Sequence, residues 1–288
     1  MFALAATPFD HTGAIYRTKV QHNFAKWRRT SLAGFIVGSP AGEGPLLDAG
    51  EKVELIRLAA EATSDAILIA DVTHEGVHAA AALAHAAKEA GAKAVISRAP
   101  QEYRQLSNAA DLPVLYFRAL ADQSPVPVLL HNDPVSTGIE LSSATVAALA
   151  QHPNIVGVLE SGTPASRVQE VRGLAGKDFA ILAGSEGQVW ESLRAGANGA
   201  ALAFASAAPY ATIAIWEAFR TREAEAGIDW QGRIAHPSIL VTDVYGPPGL
   251  KHAMDVNGYY GGPPRLPFVP VNAEAKQEIE EAFRDLKG

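Results

Sequence analysis

Asn154-Ile155-Val156-Gly157-Val158-Leu159-Glu160-Ser161-Gly162 is the stretch that decides the fold. From Ile155 to Leu159 every residue is apolar except one glycine, so neither alternating face of the segment suits water. That is the pattern of a strand covered on both sides, which belongs in a parallel sheet flanked by helices. Alternation groups Ile155, Gly157 and Leu159 on one face and Val156 and Val158 on the other. Glu160-Ser161-Gly162 close the strand at a polar edge. Similar runs recur at residues 2–6, 34–38, 66–71, 94–98, 126–132, 179–183 and 199–203. Amphipathic helical stretches alternate with them near residues 15–29, 49–62, 77–90, 110–122, 142–151, 165–174, 187–195 and 209–222. Ser142 is the expected N-cap of one of these helices.

Eight successive βα units predict an α/β fold of the closed (β/α)8 TIM-barrel type. Residues 233–244, 249–256 and 273–286 read as helices with no strand between them. The barrel is therefore expected over residues 1–222, with residues 223–288 as a C-terminal helical extension packed on it in a single structural unit. An open doubly wound sheet is the alternative topology. It would carry a glycine-rich phosphate loop after an early strand. The one candidate run, Gly258-Tyr259-Tyr260-Gly261-Gly262-Pro263-Pro264, comes too late and holds too much proline for that job.

Composition narrows the function classes. The chain has 288 residues, of which 48% are apolar and only 7% aromatic, so a large core must be built mainly from small aliphatic side chains. A formal net charge of -7, with no basic block to offset it, argues against nucleic acid or an anionic membrane as partner. The short Lys26-Trp27-Arg28-Arg29 cluster reads as the solvated end of the first helix. Cysteine is absent, which removes disulfides, a thiolate nucleophile and thiolate metal sites. Met1 to Ala6 lack a basic flank and read as a strand, not a leader. No apolar run reaches the length of a membrane span. A soluble cytoplasmic location is the expectation.

Several motifs recur together along the chain: Ala6-Thr7-Pro8-Phe9, Gly34-Phe35-Ile36-Val37 with Gly42-Glu43, Pro134 with Thr137-Gly138, and Leu182-Ala183-Gly184-Ser185-Glu186-Gly187. The tail adds Gly249-Leu250-Lys251, Met254-Asp255 and Gly258-Tyr259-Tyr260-Gly261-Gly262-Pro263. With Gln151 to Gly157, this set resembles the dihydrodipicolinate synthase / N-acetylneuraminate lyase family over almost the whole chain, nearest its 4-hydroxy-2-oxoglutarate aldolase branch. The resemblance implies a carbon–carbon lyase acting on 2-oxo acids, assembled as a homo-oligomer, commonly a tetramer. It also implies a lysine forming a Schiff base with the oxo acid, and Leu159 stands at that lysine's position. A catalytic tyrosine is expected at the end of the fifth strand, where this chain has His131-Asn132-Asp133. Ser136 stands where the synthase branch has an arginine for its second substrate. The carboxylate-holding turn of the family corresponds to Ser39-Pro40-Ala41, in which Pro40 has no N–H to donate.

A substitute Schiff-base lysine would have to project from a strand's C-terminal end. Those ends carry Ala6, Ser39, Asp71, Arg98, His131, Leu159, Gly184 and Phe204, none of them lysine. Lys93 is at the opposite end of strand four, and the remaining lysines, Lys251 among them, fall on helices where a solvated charge is the ordinary reading.

The replacements admit three readings. His131 acts as general acid/base beside Asp71, with Arg98 anchoring a carboxylate and Ser39, Ala41, Gly184 and Ser185 lining the substrate site. Alternatively Asp71, His131 and an acidic neighbour hold a divalent metal that replaces the imine as electron sink. Or the barrel is catalytically retired, and binds a small carboxylate or serves as an assembly partner. Each functional assignment has a bland counterpart: Arg98 can pair with Asp71 as a plug between strands, and Glu160 can be structural. No cofactor is required by the first or third reading.

Overall fold

The computed structural model describes residues 1–63, 65–106 and 111–286. Eight parallel strands close into a barrel in sequence order: β1 (Phe2–Leu4), β2 (Gly34–Val37), β3 (Ile67–Asp71), β4 (Ala94–Arg98), β5 (Val128–Asn132), β6 (Ile155–Glu160), β7 (Ala180–Ala183) and β8 (Gly199–Leu202). The helices of the alternation are α1 (Arg17–Trp27), α2 (Ala49–Ala62), α3 (Val77–Glu89), α4 (Leu112–Gln123), α5 (Pro134–Thr137), α6 (Ser143–Leu149), α7 (Ala165–Ala175), α8 (Val189–Arg194) and α9 (Pro209–Thr221). Then α10 (Ala224–Ile239), α11 (Gly246–Val256) and α12 (Ala273–Ala282) follow without a further strand. The barrel and its helical tail are those expected. Among the described residues no helix is long and apolar enough to cross a membrane.

The deviations have local causes. β5 begins at Val128, not residue 126, because Pro127 has no N–H for the ladder and contributes only its carbonyl, to Val95 N–H at 2.9 Å. α10 begins at Ala224, not residue 233; its first turns are mostly polar or exposed and offer little periodicity to read. It runs on into a π-helical turn at Leu240–Val244. The expected start of α4 at Ala110 lies outside the described residues. The short α5 was not expected, although Asp133-Pro134 is a cap followed by proline at the first helical position, and Asp133 accepts Ser136 N–H at 3.3 Å. The expected cap of α6 forms: Ser142 Oγ accepts Thr145 N–H at 3.0 Å.

β6 departs from strict alternation. Val128 partners Ile155 but Leu129 partners Gly157, so Val156 is an extra residue and is 37% exposed. This bulge moves Ile155 out of the face shared by Gly157 and Leu159. Gly157 is required by the next strand, since a Cβ there would stand 2.6 Å from the carbonyl oxygen of Ala180.

Two compact units are distinguishable, Met1–Leu68 with Ala201–Gly288, and Ile69–Ala200. In the first, Phe24 packs edge-on against both Trp27 and Phe35, with centroids 5.2 and 5.0 Å apart, and Trp27 stacks on Tyr259. The cluster expected to be solvated at the end of α1 therefore contains a fully buried tryptophan. Lys251 is a second correction. It is 2% exposed, with Nζ 2.5 Å from Glu43 Oε1, 4.3 Å from the Phe9 ring centre and donating to Pro263 O at 3.0 Å. Burial pushes its amine down from the ordinary lysine value while Glu43 opposes that shift. Helical periodicity alone does not reveal this pair, because its members are far apart in sequence.

In the second unit, α3 packs mainly through small side chains. Ala80, Ala84 and Ala87 of α3 are fully buried and let the helix approach the sheet closely.

Removing one member of a buried pair strands the other charge. Lys251→Met should lower the unfolding free energy by about 3–5 kcal/mol in urea titrations, with Glu43→Gln/Lys251→Met recovering part of the loss.

Candidate active site

Strand register brings three of the residues near the strands' C-terminal ends into one row. Arg98 on β4 partners His131 on β5, His131 partners Leu159 on β6, and Leu159 partners Leu182 on β7. Registered residues of neighbouring parallel strands point to the same side. Asp71 partners Ile96, two residues before Arg98, and so joins that side one step earlier. The opposite side is marked by Glu160. Its carboxylate accepts Asn132 Nδ2 at 2.7 Å and lies 3.4 Å from Arg167 Nε of α7, so it faces the helices. Burial pushes the Glu160 carboxyl up from its usual range, against the pull of Asn132 and Arg167. Arg98, His131 and Leu159 therefore face away from the helical layer.

His131 is 5% exposed, and its Nε2 lies 3.0 Å from Ser161 Oγ. Burial pushes the imidazole below its ordinary value of 6.5; the carboxylates of Asp133 and Asp71 oppose this, and Arg98 reinforces it. The ring is thus a neutral donor–acceptor near pH 7. Arg98 forms only a loose ion pair, Nη1 to Asp133 Oδ2 at 3.9 Å, and its buried Nε has no hydrogen-bond partner among the described residues. The expected alternative, an Arg98–Asp71 plug, is replaced by this contact. Asp71 turns instead to its own chain, where Oδ1 accepts Thr73 N–H at 2.8 Å, and Thr73 Oγ1 in turn accepts Arg98 N–H at 3.0 Å. His74 and Glu75 brace loops: Glu75 accepts the N–H groups of Gln101 and Glu102 at 2.9 and 3.0 Å.

Ser161 was missed by sequence reasoning. Its signal was its place two residues after Leu159, at the polar end of the strand. Gly184 supplies its room, because a Cβ on Gly184 would collide with Ser161 Oγ and stand 2.9 Å from Leu159 Cδ1. Ser185, expected to contact substrate, uses its hydroxyl to accept Gly162 N–H at 3.0 Å. Ser136 is exposed on α5. Ser39 and Ala41 belong to the first unit, where Pro40–Gly42 form one 3-10 turn. Ser39 is 1% exposed and its Oγ has no hydrogen-bond partner among the described residues. Among the described residues, no three His, Asp or Glu side chains converge as metal ligands.

The dihydrodipicolinate synthetase family model matches residues 1–286. The chain belongs to that family. Among its relatives, a 4-hydroxy-tetrahydrodipicolinate synthase of Exiguobacterium sp. is 28% identical, with 96% of this chain and 94% of the relative covered. A "probable 4-hydroxy-2-oxoglutarate aldolase, mitochondrial" of Emericella nidulans is 30% identical, covering 92% and 87% respectively. The solved dihydrodipicolinate synthase DapA-2 of Bacillus anthracis superposes with a TM-score of 0.94 at 25% identity, covering 100% of this chain and 98% of that one. Relatives of this dihydrodipicolinate synthetase-family member are thus named as synthases and a probable aldolase, while its own strand ends carry the row described above.

Overpacking at Gly184 should be costly. Gly184→Ala is expected to destabilise the fold by about 1–3 kcal/mol, read from thermal denaturation. The buried imidazole makes a second prediction, about pH. Its folded value is depressed, so the unfolded chain takes up a proton that the native one refuses. The contribution of His131 to stability is therefore complete above 6.5 and lost as pH falls from there toward the folded value. Urea midpoints followed downward across that window should drop less steeply in His131→Asn than in the wild type.

Proposed function

We propose that this chain is a carbon–carbon lyase of its family that acts on a small 4-hydroxy-2-oxo acid without forming an imine. One observation carries the reading: a buried imidazole bonded to a hydroxyl stands in one row with an arginine whose Nε has no hydrogen-bond partner among the described residues. Isolated buried polar groups cost free energy unless a partner completes them. A carboxylate is that partner for a guanidinium, which presents a planar fork of donors to it.

Each side chain then has a definite task. Arg98 anchors the carboxylate and supplies the positive charge against which an enolate can form. His131 holds and moves a proton, in place of the tyrosine that the family resemblance implies at the end of β5. Asp71 and Asp133 offset part of the burial that keeps His131 neutral. Leu159 contributes an apolar wall against Gly184 and no amine. Loss of a covalent group costs on the order of 10⁴–10⁶ in turnover where nucleophiles have been deleted, so slow chemistry is expected. No step is routed through a metal, since Asp71, His131 and Asp133 do not converge as a ligand set. The assembly of identical subunits implied by the family, four in the common case, is part of the proposal and is read directly by light scattering.

Two measurements test it. Borohydride reduction in the presence of pyruvate should leave the intact mass unchanged; a reduced pyruvyl–lysine adduct would restore the imine and send the search to another lysine. In thermal-shift titrations with pyruvate and 4-hydroxy-2-oxoglutarate, a ligand at a hundredfold excess over its Kd stabilises the fold by about 2.7 kcal/mol. That shift should vanish in Arg98→Ala and persist in Lys93→Ala, which alters an exposed residue before β4. A folded wild type that shifts with no small acid at millimolar concentration would overturn the proposal in favour of a catalytically retired barrel.

A further inference from the structure

The imidazole of His131 is almost wholly covered, whereas Ser161, its partner at 3.0 Å, is partly exposed. Ser161 is therefore the more open residue of the pair. Two independent contacts hold it there. Ser161 N–H donates to Asn132 O at 2.9 Å, which ties the end of β6 to β5. The bare Cα of Gly184 leaves the space that Oγ occupies, and any side chain at that position would displace it.

Resting on the lyase reading above, we propose that Ser161 and His131 form a proton-relay pair acting on the hydroxyl of a 4-hydroxy-2-oxo acid, with Ser161 as the group that touches the ligand. In cleavage the ligand hydroxyl gives its proton to Ser161 Oγ while Ser161 gives its own to His131 Nε2. The electrons of that O–H bond form the aldehyde C=O, the C3–C4 bond breaks, and its electron pair passes to C3 as an enolate conjugated with the C2 carbonyl. The imidazolium then returns the proton to C3 through Ser161, leaving a 2-oxo acid and an aldehyde. Atoms and charge balance with no oxidant, metal or water consumed.

The surroundings suit a transient imidazolium. Asp71 at the end of β3 and Asp133 just beyond β5 favour the charged ring, Arg98 on β4 disfavours it, and Glu160 of β6 points to the helical side. Burial returns the ring to its neutral form between turnovers. For Ser161 to donate to Nε2, the neutral ring must carry its own proton on Nδ1.

That tautomer is directly observable. Side-chain ¹⁵N–¹H correlation spectra near neutral pH, with His131 assigned by its loss in His131→Asn, should show an Nδ1-protonated ring. The Nε2 resonance should move in Ser161→Ala and be restored in Ser161→Thr. An Nε2-protonated ring in the wild type, or a resonance indifferent to Ser161→Ala, would overturn the relay without touching the carboxylate site. The second arm uses the two acids. Ser161→Ala should lower cleavage of 4-hydroxy-2-oxoglutarate by roughly 10²-fold or more and flatten its pH profile, with rescue by Ser161→Thr. It should leave the pyruvate-induced thermal shift as in the wild type. Cleavage by Ser161→Ala at the wild-type rate would overturn the relay alone, whereas a wild type that binds 4-hydroxy-2-oxoglutarate without cleaving it would overturn the lyase reading, and the relay with it. A wild type that binds neither acid would overturn the lyase reading, and the relay with it.

Discussion

A one-residue step along β6 separates two chemistries. Leu159 faces away from the helices and stands in register with His131, whereas Glu160 faces them and is held by Asn132 and Arg167. Parallel strands with both faces covered force this separation, because successive side chains leave the backbone on opposite sides. Everything proposed about the site depends on that register. A slip of one residue of β6 along β5 could bring the Glu160 carboxylate into the row beside His131 in place of Leu159. The bulge at Val156 lies upstream of the row, so the register from Gly157 onward is undisturbed.

Lys251 and Arg98 are both largely covered, and they are managed differently. Lys251 is satisfied within the fold by a carboxylate at 2.5 Å, a carbonyl and an aromatic face. Such a group is structural, and its amine is already engaged. Arg98 has one carboxylate at 3.9 Å and a buried nitrogen left over. The contrast matters because completing a buried donor is worth more than adding an exposed contact. The cation of the row thus stands on β4, while the position on β6 where the family resemblance implies an amine carries a hydrocarbon side chain. Leucine at 159 also keeps a second positive charge away from His131, whose neutrality is set first by burial.

How much was legible in advance follows from the range of each interaction. The eight strands were readable because apolar runs and the turns that end them are local. Residues 49–62 and 94–98 were placed at their observed ends for that reason, α2 beginning with a full capping box between Asp48 and Glu51. The start of α10 was misplaced where its first turns lack periodicity, and Lys251 was misread because Glu43 lies 208 residues before it. In the site, His131 and Leu159 stood out against the residues that the family resemblance implies, and Arg98 as a charge ending an apolar strand. Ser161 did not, since a serine at a strand end is unremarkable until its neighbour across the sheet is known.

By itself, then, the order of apolar and polar residues determined the barrel, the helical tail and the absence of a lysine at residue 159, all of which are properties of short segments read one at a time. Tertiary structure decided which side chains meet: Ser161 with His131, Asp133 and not Asp71 with Arg98, and Gly184 as the space that admits a hydroxyl. The physical reason is that these are contacts between neighbouring strands and the loops that follow them. Their distances are set by hydrogen-bond register and close approach of backbone, which no single segment encodes.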